Sequence, residues 1–439
     1  MIERGRKLRC RALWRNKPWP HLRVVVVFCA AFCLAGDFFA VQPSPSELSP
    51  EFQLFFNARA ALVSRCIYRV GNREVITGAL KGLQRELGPK FRVNLPPDLD
   101  RKTAEEAWLV YQQQLSQIAQ SPDAKQSLKT LVELSLRAYC RTLDRYSAYD
   151  DYDTWRKLQE LGEPDYTGVG VTVIEGREED FICDPIRGGP ADRAGIDEGD
   201  RLLAVNAHNV RGATRLQLRT WLGETQESSI QLRVRHRNGK EESVTIPKEQ
   251  IQYTPVSVEE DGSSVRIALR QLSERGVADL RNSLRSVSPS KPITLDLRGC
   301  SGGPLQFAVA VASMFLPAST VIGKLETLNG TETLLSNNSA PYRPPKLSIL
   351  QDRLTASGAE LVIVALRSYR ALNTESFGEK SYGKGVTQQV VKVSGVNRAG
   401  ETVVEAGILT VTDSRIYGPN GEFWDTDGLA PSRGDNPGR

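Results

Sequence analysis

The sequence predicts an α/β multidomain protein, because three regions of the chain differ in the periodicity of their apolar residues. Residues 43–165 place apolar side chains at helical spacing, most clearly within Leu128–Leu143. Residues 166–250 have short β-type runs separated by turn signals. Residues 251–439 alternate strand-like and helix-like segments, which is typical of an α/β layered domain. We therefore expect a helical region, a small β-rich domain and a layered core, in that order.

The N-terminal segment differs from the rest of the chain in charge. Eight Lys or Arg residues and one Glu lie in the first 23 residues, so this segment carries +7 and the remaining chain −2, for a total of +5. A nearly neutral body gives no support to nucleic-acid binding. The uncharged residues 24–36 are too few for a spanning helix of about 20 residues but enough for the apolar part of a signal peptide.

Residues 1–42 are therefore predicted to be a signal peptide or an uncleaved membrane anchor. We expect an exported protein that is periplasmic, or anchored in the membrane and facing the periplasm of a bacterial envelope. A plastid lumen is the alternative compartment.

The Cys and His residues limit the chemistry that the chain can perform. Cys66, Cys140, Cys183 and Cys300 are too scattered for a disulfide framework, although an oxidising compartment would allow a Cys66–Cys140 bridge. None of the three His residues lies near the hydroxyl and lysine motifs described below, which disfavours a Ser-His-Asp triad. No His/Cys pair has the spacing of zinc ligands, so we expect no metal and no cofactor.

A serine and a lysine dominate the C-terminal region. Ser357 lies between a predicted buried strand, 347–350, and a predicted helix, 361–366. Lys384 follows in a glycine-rich stretch, with Gln388 four residues later. A lone Ser at a helix start is more often an N-cap, and a lone Lys in a turn is more often a solvated charge. Together they indicate a serine nucleophile with a lysine base, because a desolvated lysine can accept a hydroxyl proton.

Two glycine segments are candidates for holding negative charge. Asp-Leu-Arg-Gly-Cys-Ser-Gly-Gly at 296–303 follows a predicted strand and precedes a predicted helix, where backbone N–H groups stabilise oxyanions. No Gly-Lys-Ser/Thr follows, which disfavours a nucleotide P-loop. Tyr-Thr-Gly-Val-Gly-Val at 166–171 either offers N–H groups to a carboxylate or makes a tight hairpin.

These motifs occur in the order found in a known family. The stretch 185–206 resembles part of a PDZ domain, and the motifs at 296–303, 355–360 and 378–388 resemble those of the carboxyl-terminal processing, or tail-specific, proteases. The resemblance runs from about residue 128 to the end of the chain. It implies a Clp protease/crotonase-like catalytic core with an inserted PDZ-like domain at 166–250.

The resemblance also implies roles for individual residues. Ser357 would be the nucleophile, Lys384 the general base and Gln388 its orienting partner. The oxyanion-hole candidates are Gly302, Gly303 and Gly358. Protein or peptide substrates with free C-termini would bind by β-augmentation, with the terminal carboxylate at the PDZ-like loop made of Gly168, Val169, Gly170 and Val171.

The chain departs from the family pattern at several points, and two of them concern the proposed nucleophile and base. Gly358 replaces the usual alanine after the nucleophile, and the interval from Ser357 to Lys384 is slightly longer than usual. These departures motivate a second hypothesis, in which a catalytically degenerate protease fold serves as a peptide-binding scaffold. A crotonase-type acyl-CoA enzyme would leave Lys384 and the PDZ-like domain unexplained. We further expect the polar stretch Thr327–Pro345 to be a loop beside the site, and Glu360 to be an ordinary acid of a first helical turn.

Overall fold

The computed structural model describes most of the chain beyond the predicted export segment. The described residues are 48–88, 93–121, 126–160, 165–175, 181–186, 188–211, 213, 215–223, 228–252, 254–337, 341–396 and 402–433. The export segment that the sequence predicts lies outside them. Within the described residues, no helix is both long and apolar enough to cross a membrane.

The N-terminal region is helical, as its apolar periodicity predicts. Its elements are α1 (Pro50–Arg65), α2 (Asn72–Leu87), a 3₁₀ turn (Leu99–Arg101), α3 (Ala104–Gln120), α4 (Leu128–Leu143), β1 (Ala148–Asp150) and α5 (Tyr152–Glu160). α3 begins with a capping box, in which Thr103 Oγ1 accepts from Glu106 N at 3.2 Å and Glu106 Oε2 accepts from Thr103 N at 2.8 Å. Ser127 caps α4 in the same way through Thr130 N, at 3.2 Å.

The middle region is a small antiparallel β-domain. Its elements are β2 (Asp165–Gly168), β3 (Val171–Glu175), β4 (Phe181–Pro185), α6 (Pro190–Arg193), β5 (Arg201–Val205), β6 (His208–Asn209), α7 (Arg215–Gly223), β7 (Ser229–Arg235), β8 (Glu241–Pro247) and β9 (Glu249–Gln252). Five strands follow the order β3-β4-β5-β7-β8, β6 pairs with β5, and β2 pairs with β9. On β7, Ile230, Leu232 and Val234 are buried and alternate with more exposed residues, so the strand turns one face to the domain's own core.

The C-terminal region has two sheets and three helices. Its elements are β10 (Val256–Glu260), β11 (Val265–Leu269), α8 (Glu274–Ser286), β12 (Ile293–Asp296), α9 (Leu305–Ser313), β13 (Val321–Thr327), β14 (Gly330–Leu335), β15 (Leu347–Gln351), α10 (Gly358–Arg367), a 3₁₀ turn (Arg370–Leu372), β16 (Glu375–Gly378), β17 (Val386–Val396) and β18 (Thr402–Tyr417). β11, β12, β15 and β16 are parallel neighbours, with β10 antiparallel at one edge.

The parallel sheet explains how distant motifs come together. Asp296 at the end of β12 pairs with Leu350 on β15, and Leu350 pairs with Phe377 on β16. Parallel strands in register end at the same edge of a sheet, which is where α/β folds place ligand sites. Three segments leave this edge: the glycine turn (residues 299–303), the serine turn (residues 352–357) and the lysine loop (residues 379–385).

The second sheet joins the two ends of the chain. β17 and β18 are long antiparallel partners, β1 pairs with β18, and β13 lies between β18 and β14. Val393, Leu409 and Val411 belong to the same hydrophobic core as the N-terminal helices. The helical region is therefore not an independent layer, because part of its core comes from strands at the C-terminal end of the chain.

One expectation about this region is wrong. The stretch Thr327–Pro345 is not a loop throughout, because β14 (Gly330–Leu335) pairs antiparallel with β13. Most residues of β14 are exposed, so the stretch carries no apolar alternation that would reveal a strand. The Asn329-Gly330 pair between the strands is a hairpin signal that the interpretation of this stretch overlooked.

Candidate active site

Ser357 occupies a strained position at the start of α10. Its φ of 56° and ψ of −121° lie where side-chain-bearing residues rarely occur, at a cost of about 1–3 kcal/mol. The Ser357 hydroxyl makes no N-cap hydrogen bond, which removes the ordinary reason for a serine here. Instead its backbone N–H donates to Glu360 Oε2 at 2.7 Å. The Ser357 hydroxyl therefore does not serve as a helix cap. Ser357 is half-buried and lies at the edge of the parallel sheet.

The Glu360 carboxylate connects the serine turn to the lysine loop. Its Oε2 accepts from the N–H groups of Ser357, at 2.7 Å, and Lys384, at 2.8 Å. Its Oε1 accepts from Ser381 Oγ at 2.5 Å and from Gly383 N at 2.8 Å. Burial raises the pKa of Glu360, and these four donors oppose that shift because they favour the ionised form. One carboxylate therefore holds Ser357 and Lys384 next to each other.

Lys384 has its side chain held by Gln388 and Tyr146. Lys384 Nζ donates to Gln388 Oε1 at 2.6 Å, and it lies 5.1 Å from the centroid of the Tyr146 ring. Gln388 Nε2 donates to the backbone oxygen of Tyr146 at 2.6 Å. Because the amide nitrogen is bound to that carbonyl, the amide oxygen must face the lysine. Gln388 is thus hydrogen-bonded to Lys384 and is itself fixed by Tyr146.

Close backbone packing fixes the lysine loop. A Cβ at Gly383 would lie 2.7 Å from Gly428 N, and one at Gly385 would lie 2.8 Å from Asp425 N. Gly383 also has a φ of 87°, which favours glycine. Tyr146 OH donates to Gly383 O at 2.9 Å and lies 3.2 Å from Asp425 Oδ1. The loop therefore has little freedom to move Lys384.

The glycine turn lies against Ser357. A Cβ at Gly302 would come within 2.9 Å of Gly358 N and 3.0 Å of Ser357 Cβ, so no side chain fits between the two turns. Gly302 and Gly303 have φ angles of 88° and 156°. The Gly302 N–H is hydrogen-bonded to the Cys300 thiol, whereas Gly358 N is the first amide of α10 and has no acceptor within the helix. The structure thus brings all three glycines beside Ser357, and Gly358 offers its amide most directly.

Asp352 holds the glycine turn to the serine turn. Its carboxylate accepts from Gly299 N at 3.1 Å, Leu354 N at 3.0 Å and Thr355 N at 2.9 Å. The residue is buried, and Ala356 N adds a bond to Cys300 O at 2.9 Å. Asp352 therefore fixes the position of the glycine turn relative to the serine turn that contains Ser357.

The PDZ-like loop lies in the middle domain, between β2 and β3. Gly170 has a φ of 69°, and its carbonyl accepts from Ile186 N at 2.8 Å. The carbonyl of Val169 accepts from Ala191 N at 2.9 Å. Both carbonyls are thus hydrogen-bonded to backbone amides of the middle domain. The loop leads into β3, which is an edge strand of its sheet within the described residues. Gly168, Val169, Gly170 and Val171 are thus placed at the beginning of an edge to which a further strand could be added.

Three side chains of this site were not singled out as functional in the sequence. Glu360 was assigned to an ordinary first helical turn, although Ser-x-x-Glu before an apolar run is a recognisable signal that the acid turns back to the N-cap. Asp352 and Tyr146 had no local signal, since their partners lie far away in the chain. The four Cys of the described residues are buried free thiols, so Cys66 and Cys140 are not bridged.

Comparison with known families and proteins agrees with this arrangement. Residues 265–433 match the model of peptidase family S41, and residues 160–235 match that of the PDZ domain. The chain is 25% identical over 312 residues to a probable CtpA-like serine protease of Staphylococcus aureus (strain bovine RF122 / ET3-1), which covers 70% of this chain and 60% of that protein. It is 24% identical over 312 residues to a probable CtpA-like serine protease of Staphylococcus epidermidis (strain ATCC 35984), covering 70% and 61%.

The chain thus spans about three fifths of the length of these curated relatives. A solved structure, the photosystem II D1 C-terminal processing protease, is similar over 89% of this chain and 94% of its own, with a TM-score of 0.63 and 18% identity. That likeness establishes the multidomain α/β fold, including the helical region. Residues 265–433 thus match peptidase family S41 and residues 160–235 match the PDZ domain, and the order of the motifs is similar to that of the PDZ-containing carboxyl-terminal processing proteases.

Proposed function

We propose that this protein is an exported serine endopeptidase with a Ser357/Lys384 dyad, which recognises the C-terminal tail of protein substrates and cleaves near that end. One observation carries the proposal. The backbone of Ser357 is strained, its hydroxyl makes no N-cap hydrogen bond, and its amide shares the Glu360 carboxylate with the amide of Lys384. A serine with only a structural role would not require a strained backbone. A lysine on the surface would not require one hydrogen bond to fix its backbone amide and another to fix its side chain.

The reaction follows from the donors and acceptors around Ser357. Lys384 in its neutral form takes the hydroxyl proton as Ser357 Oγ attacks the peptide carbonyl carbon. The carbonyl oxygen becomes an oxyanion, which the Gly358 amide and the glycine turn stabilise. Lys384 then gives the proton to the leaving amine, the peptide C–N bond breaks and an acyl-enzyme ester remains. A water molecule, deprotonated by Lys384, hydrolyses the ester and restores both groups.

Tail recognition is assigned to the PDZ-like loop. A substrate strand adding to the edge of β3 would bring its terminal carboxylate to the N–H groups of Gly168–Val171. The relatives named as CtpA-like serine proteases support a peptidase activity. The basic and apolar segment at residues 1–42 supports export to a bacterial envelope, with membrane association through that segment.

Cleavage of a defined substrate tests both parts of the proposal. The purified full-length protein is incubated with an unfolded polypeptide that has an apolar C-terminus, and the products are identified by mass spectrometry. We expect cleavage by the parent and none by Ser357→Ala, with the same far-ultraviolet circular dichroism for both. Full activity in Ser357→Ala would exclude the dyad. Equal cleavage of the free-acid and C-terminally amidated forms of the substrate would exclude tail recognition.

The scaffold hypothesis rests on the longer interval from Ser357 to Lys384 and on Gly358, which replaces the family's usual alanine. A Cβ at this position would lie 2.9 Å from Leu272 Cδ1 and 3.2 Å from Ala308 Cβ, so neighbouring side chains occupy the space of the usual methyl group. The substitution is thus accommodated and does not displace Ser357. Binding of the free-acid tail without any cleavage by the parent would nevertheless favour the scaffold.

A further inference from the structure

The junction between the middle domain and the parallel sheet contains three carboxyl groups. Asp352 belongs to the serine turn, whereas Asp184 and Glu198 belong to the middle domain. Glu198 is hydrogen-bonded to Asp352 through their side chains. Asp184 Oδ2 lies 2.9 Å from the position that a Cβ at Gly299 would occupy. The middle domain therefore presents two acids to the one carboxylate that joins the glycine and serine turns.

A hydrogen bond between two carboxyl groups requires a proton, because ionised carboxylates are acceptors only. The hydrogen bond to Asp352, followed by burial, raises the pKa of Glu198 to about 8. Burial, followed by the negative charge of Asp352, raises the pKa of Asp184 to about 7. The geometry and the shifts agree that this cluster retains a proton at neutral pH.

The other charged groups around the cluster are arginines, and most have partners. Arg298 lowers the pKa of Glu198 and Arg270 lowers that of Asp184, but both guanidiniums are bound to Asp296, at 2.7 Å and 3.3 Å. On the side of Gly199, Arg353 Nη2 donates to the Gly199 carbonyl oxygen at 2.7 Å. These cations moderate the repulsion among the three acids, and they leave the pKa values of Asp184 and Glu198 raised.

An ion pair between described residues also crosses the junction. Arg237 of the middle domain lies 3.3 Å from Glu379 of the lysine loop, and both side chains are 51% exposed. An exposed pair of this kind contributes about 0–1 kcal/mol. The carboxyl cluster, in which Asp352 is buried and Asp184 and Glu198 are half-buried, is therefore the contact more able to control how the middle domain docks.

We propose that Asp352 is a positioning residue for the peptidase reaction, and that Glu198 couples it to the middle domain through one shared proton. The proposal rests on the function proposed above. While the proton is shared, the middle domain is docked and Asp352 holds Gly299 and Thr355 in place. When the proton is lost, adjacent carboxylates repel each other, the domain separates from the serine turn, and the oxyanion donors lose their fixed position.

The sign of the pH effect follows from the raised pKa of Glu198. An acid with a raised pKa in the docked form takes up a proton on docking. Its favourable contribution is complete below the ordinary range of a glutamic acid, near 4.5, and is lost as the pH rises through about 8. Above that pH, we expect the parent to lose activity relative to a variant that needs no proton at this position.

Glu198→Gln is such a variant, because its amide group donates to the Asp352 carboxylate at any pH. We would measure kcat/KM of the full-length parent and of this variant from pH 6 to 9.5 with the reporter polypeptide described above. The ratio of variant to parent cancels the titration of Lys384. It is expected to rise about tenfold between pH 7 and 9, since about one-tenth of a group with a pKa near 8 is protonated at pH 9. A ratio that does not change with pH would overturn the proposal.

Glu241→Gln is the matched control, because Glu241 is an exposed acid of the same domain that is paired with Arg235. Its ratio to the parent should stay near one throughout. Asp352→Asn should also remove the alkaline loss, because its amide can donate to an ionised Glu198, whereas Asp352→Ala should lower kcat more than it raises KM. Thermal unfolding of each variant shows whether the domain is still folded.

Hydrogen exchange tests the same inference without any turnover. Amide exchange in peptides that cover residues 297–303 and 352–357, corrected for the intrinsic rate, would be followed from pH 6 to 9. In the parent, protection should fall as the pH passes about 8, and in Glu198→Gln it should persist. Identical protection in both proteins would contradict the coupling even if the peptidase were active. Different protection in an inactive parent would uphold the coupling and reject only the proposed function.

Discussion

Two buried carboxylates flank Ser357, and they differ in what surrounds them. Glu360 binds four donors, all from the serine turn and the lysine loop. Asp352 also binds several backbone amides, but two acids of another domain face it. Charge-assisted hydrogen bonds to fixed amides make the first contact insensitive to the rest of the molecule. The second depends on a proton and on where the middle domain lies.

Because their surroundings differ, the Glu360 and Asp352 carboxylates hold different parts of the candidate active site. On the Glu360 side, the proposed nucleophile and base are held together by one carboxylate of α10. On the Asp352 side, the glycine turn is held to the serine turn at a point that the middle domain can reach. In the proposed function, the middle domain therefore influences the proposed oxyanion donors without touching Ser357 or Lys384. The predictions below examine these two sides, beginning with the largest expected effect.

Removing the base should have the largest effect. Lys384→Ala is expected to lower kcat by about 10³-fold or more, because it removes the amine that is proposed to accept the serine proton. The assay is turnover of the reporter polypeptide at pH 8. Lys380→Ala, an exposed lysine of the same loop, is the control and should be fully active. Loss of activity in both variants would indicate a damaged loop and not a missing base.

Weakening the hydrogen bonds of the Glu360 carboxylate should have the next largest effect. A glutamine at 360 would keep one acceptor oxygen and turn an NH₂ group towards a backbone N–H donor, so at least one of the four bonds is lost. We expect Glu360→Gln to lower kcat by about 10–100-fold and the free energy of unfolding by about 1–3 kcal/mol. Chemical denaturation and turnover measure these two quantities. Glu274→Gln, an exposed acid at the start of α8, should leave both quantities unchanged.

Changing the charge beside the base should shift the pH dependence by a smaller amount. In Gln388→Glu, a carboxylate next to Lys384 favours the ammonium form and raises the pKa of that lysine. The activity should fall about tenfold at pH 7 and recover as the pH rises, because more alkaline solution is needed to produce the neutral base. The pH profile of kcat/KM provides the check. Gln389→Glu is the control on the same strand, and a parallel shift there would refute a specific role for Gln388.

The smallest effect is expected from restoring the family's usual residue. In Gly358→Ala, the added methyl group meets Leu272 Cδ1, which is the end of a flexible side chain and can move aside. Alanine also favours the first turn of a helix over glycine. We therefore expect kcat to change by less than about threefold and the melting temperature to change little. A large loss of activity would mean that the space beside Ser357 is needed by the substrate.

The contrast between the two carboxylates also explains what the sequence could predict. The Ser357, Lys384 and Gln388 motifs are local, and strand-to-helix alternation was enough to predict an α/β layered domain around them. That parallel strands end beside these motifs is visible only in the structure. Glu360 has a local signature, but its partners in the lysine loop lie more than twenty residues away. Asp352 meets Glu198 only when two domains dock, and no pattern within either segment announces that contact.

The long strands β17 and β18 are a similar case. Their apolar residues fill the core of the N-terminal helices, so the reason for their pattern lies at the opposite end of the chain. The exposed strand β14 carries no apolar pattern at all. Periodicity predicts an element when one of its faces is buried against its neighbours in sequence, and it fails when the partner is distant or when the strand is mostly solvated.

The central claim is that Ser357 carries the acyl group during the reaction. The most direct measurement is rapid acid quenching of the full-length protein with an activated ester of a short peptide, followed by intact-mass analysis and peptide mapping. We predict an adduct of one acyl group on the peptide that contains Ser357, and no adduct in Ser357→Ala. An adduct on any other residue, or product formation by Ser357→Ala at the rate of the parent, would contradict the account.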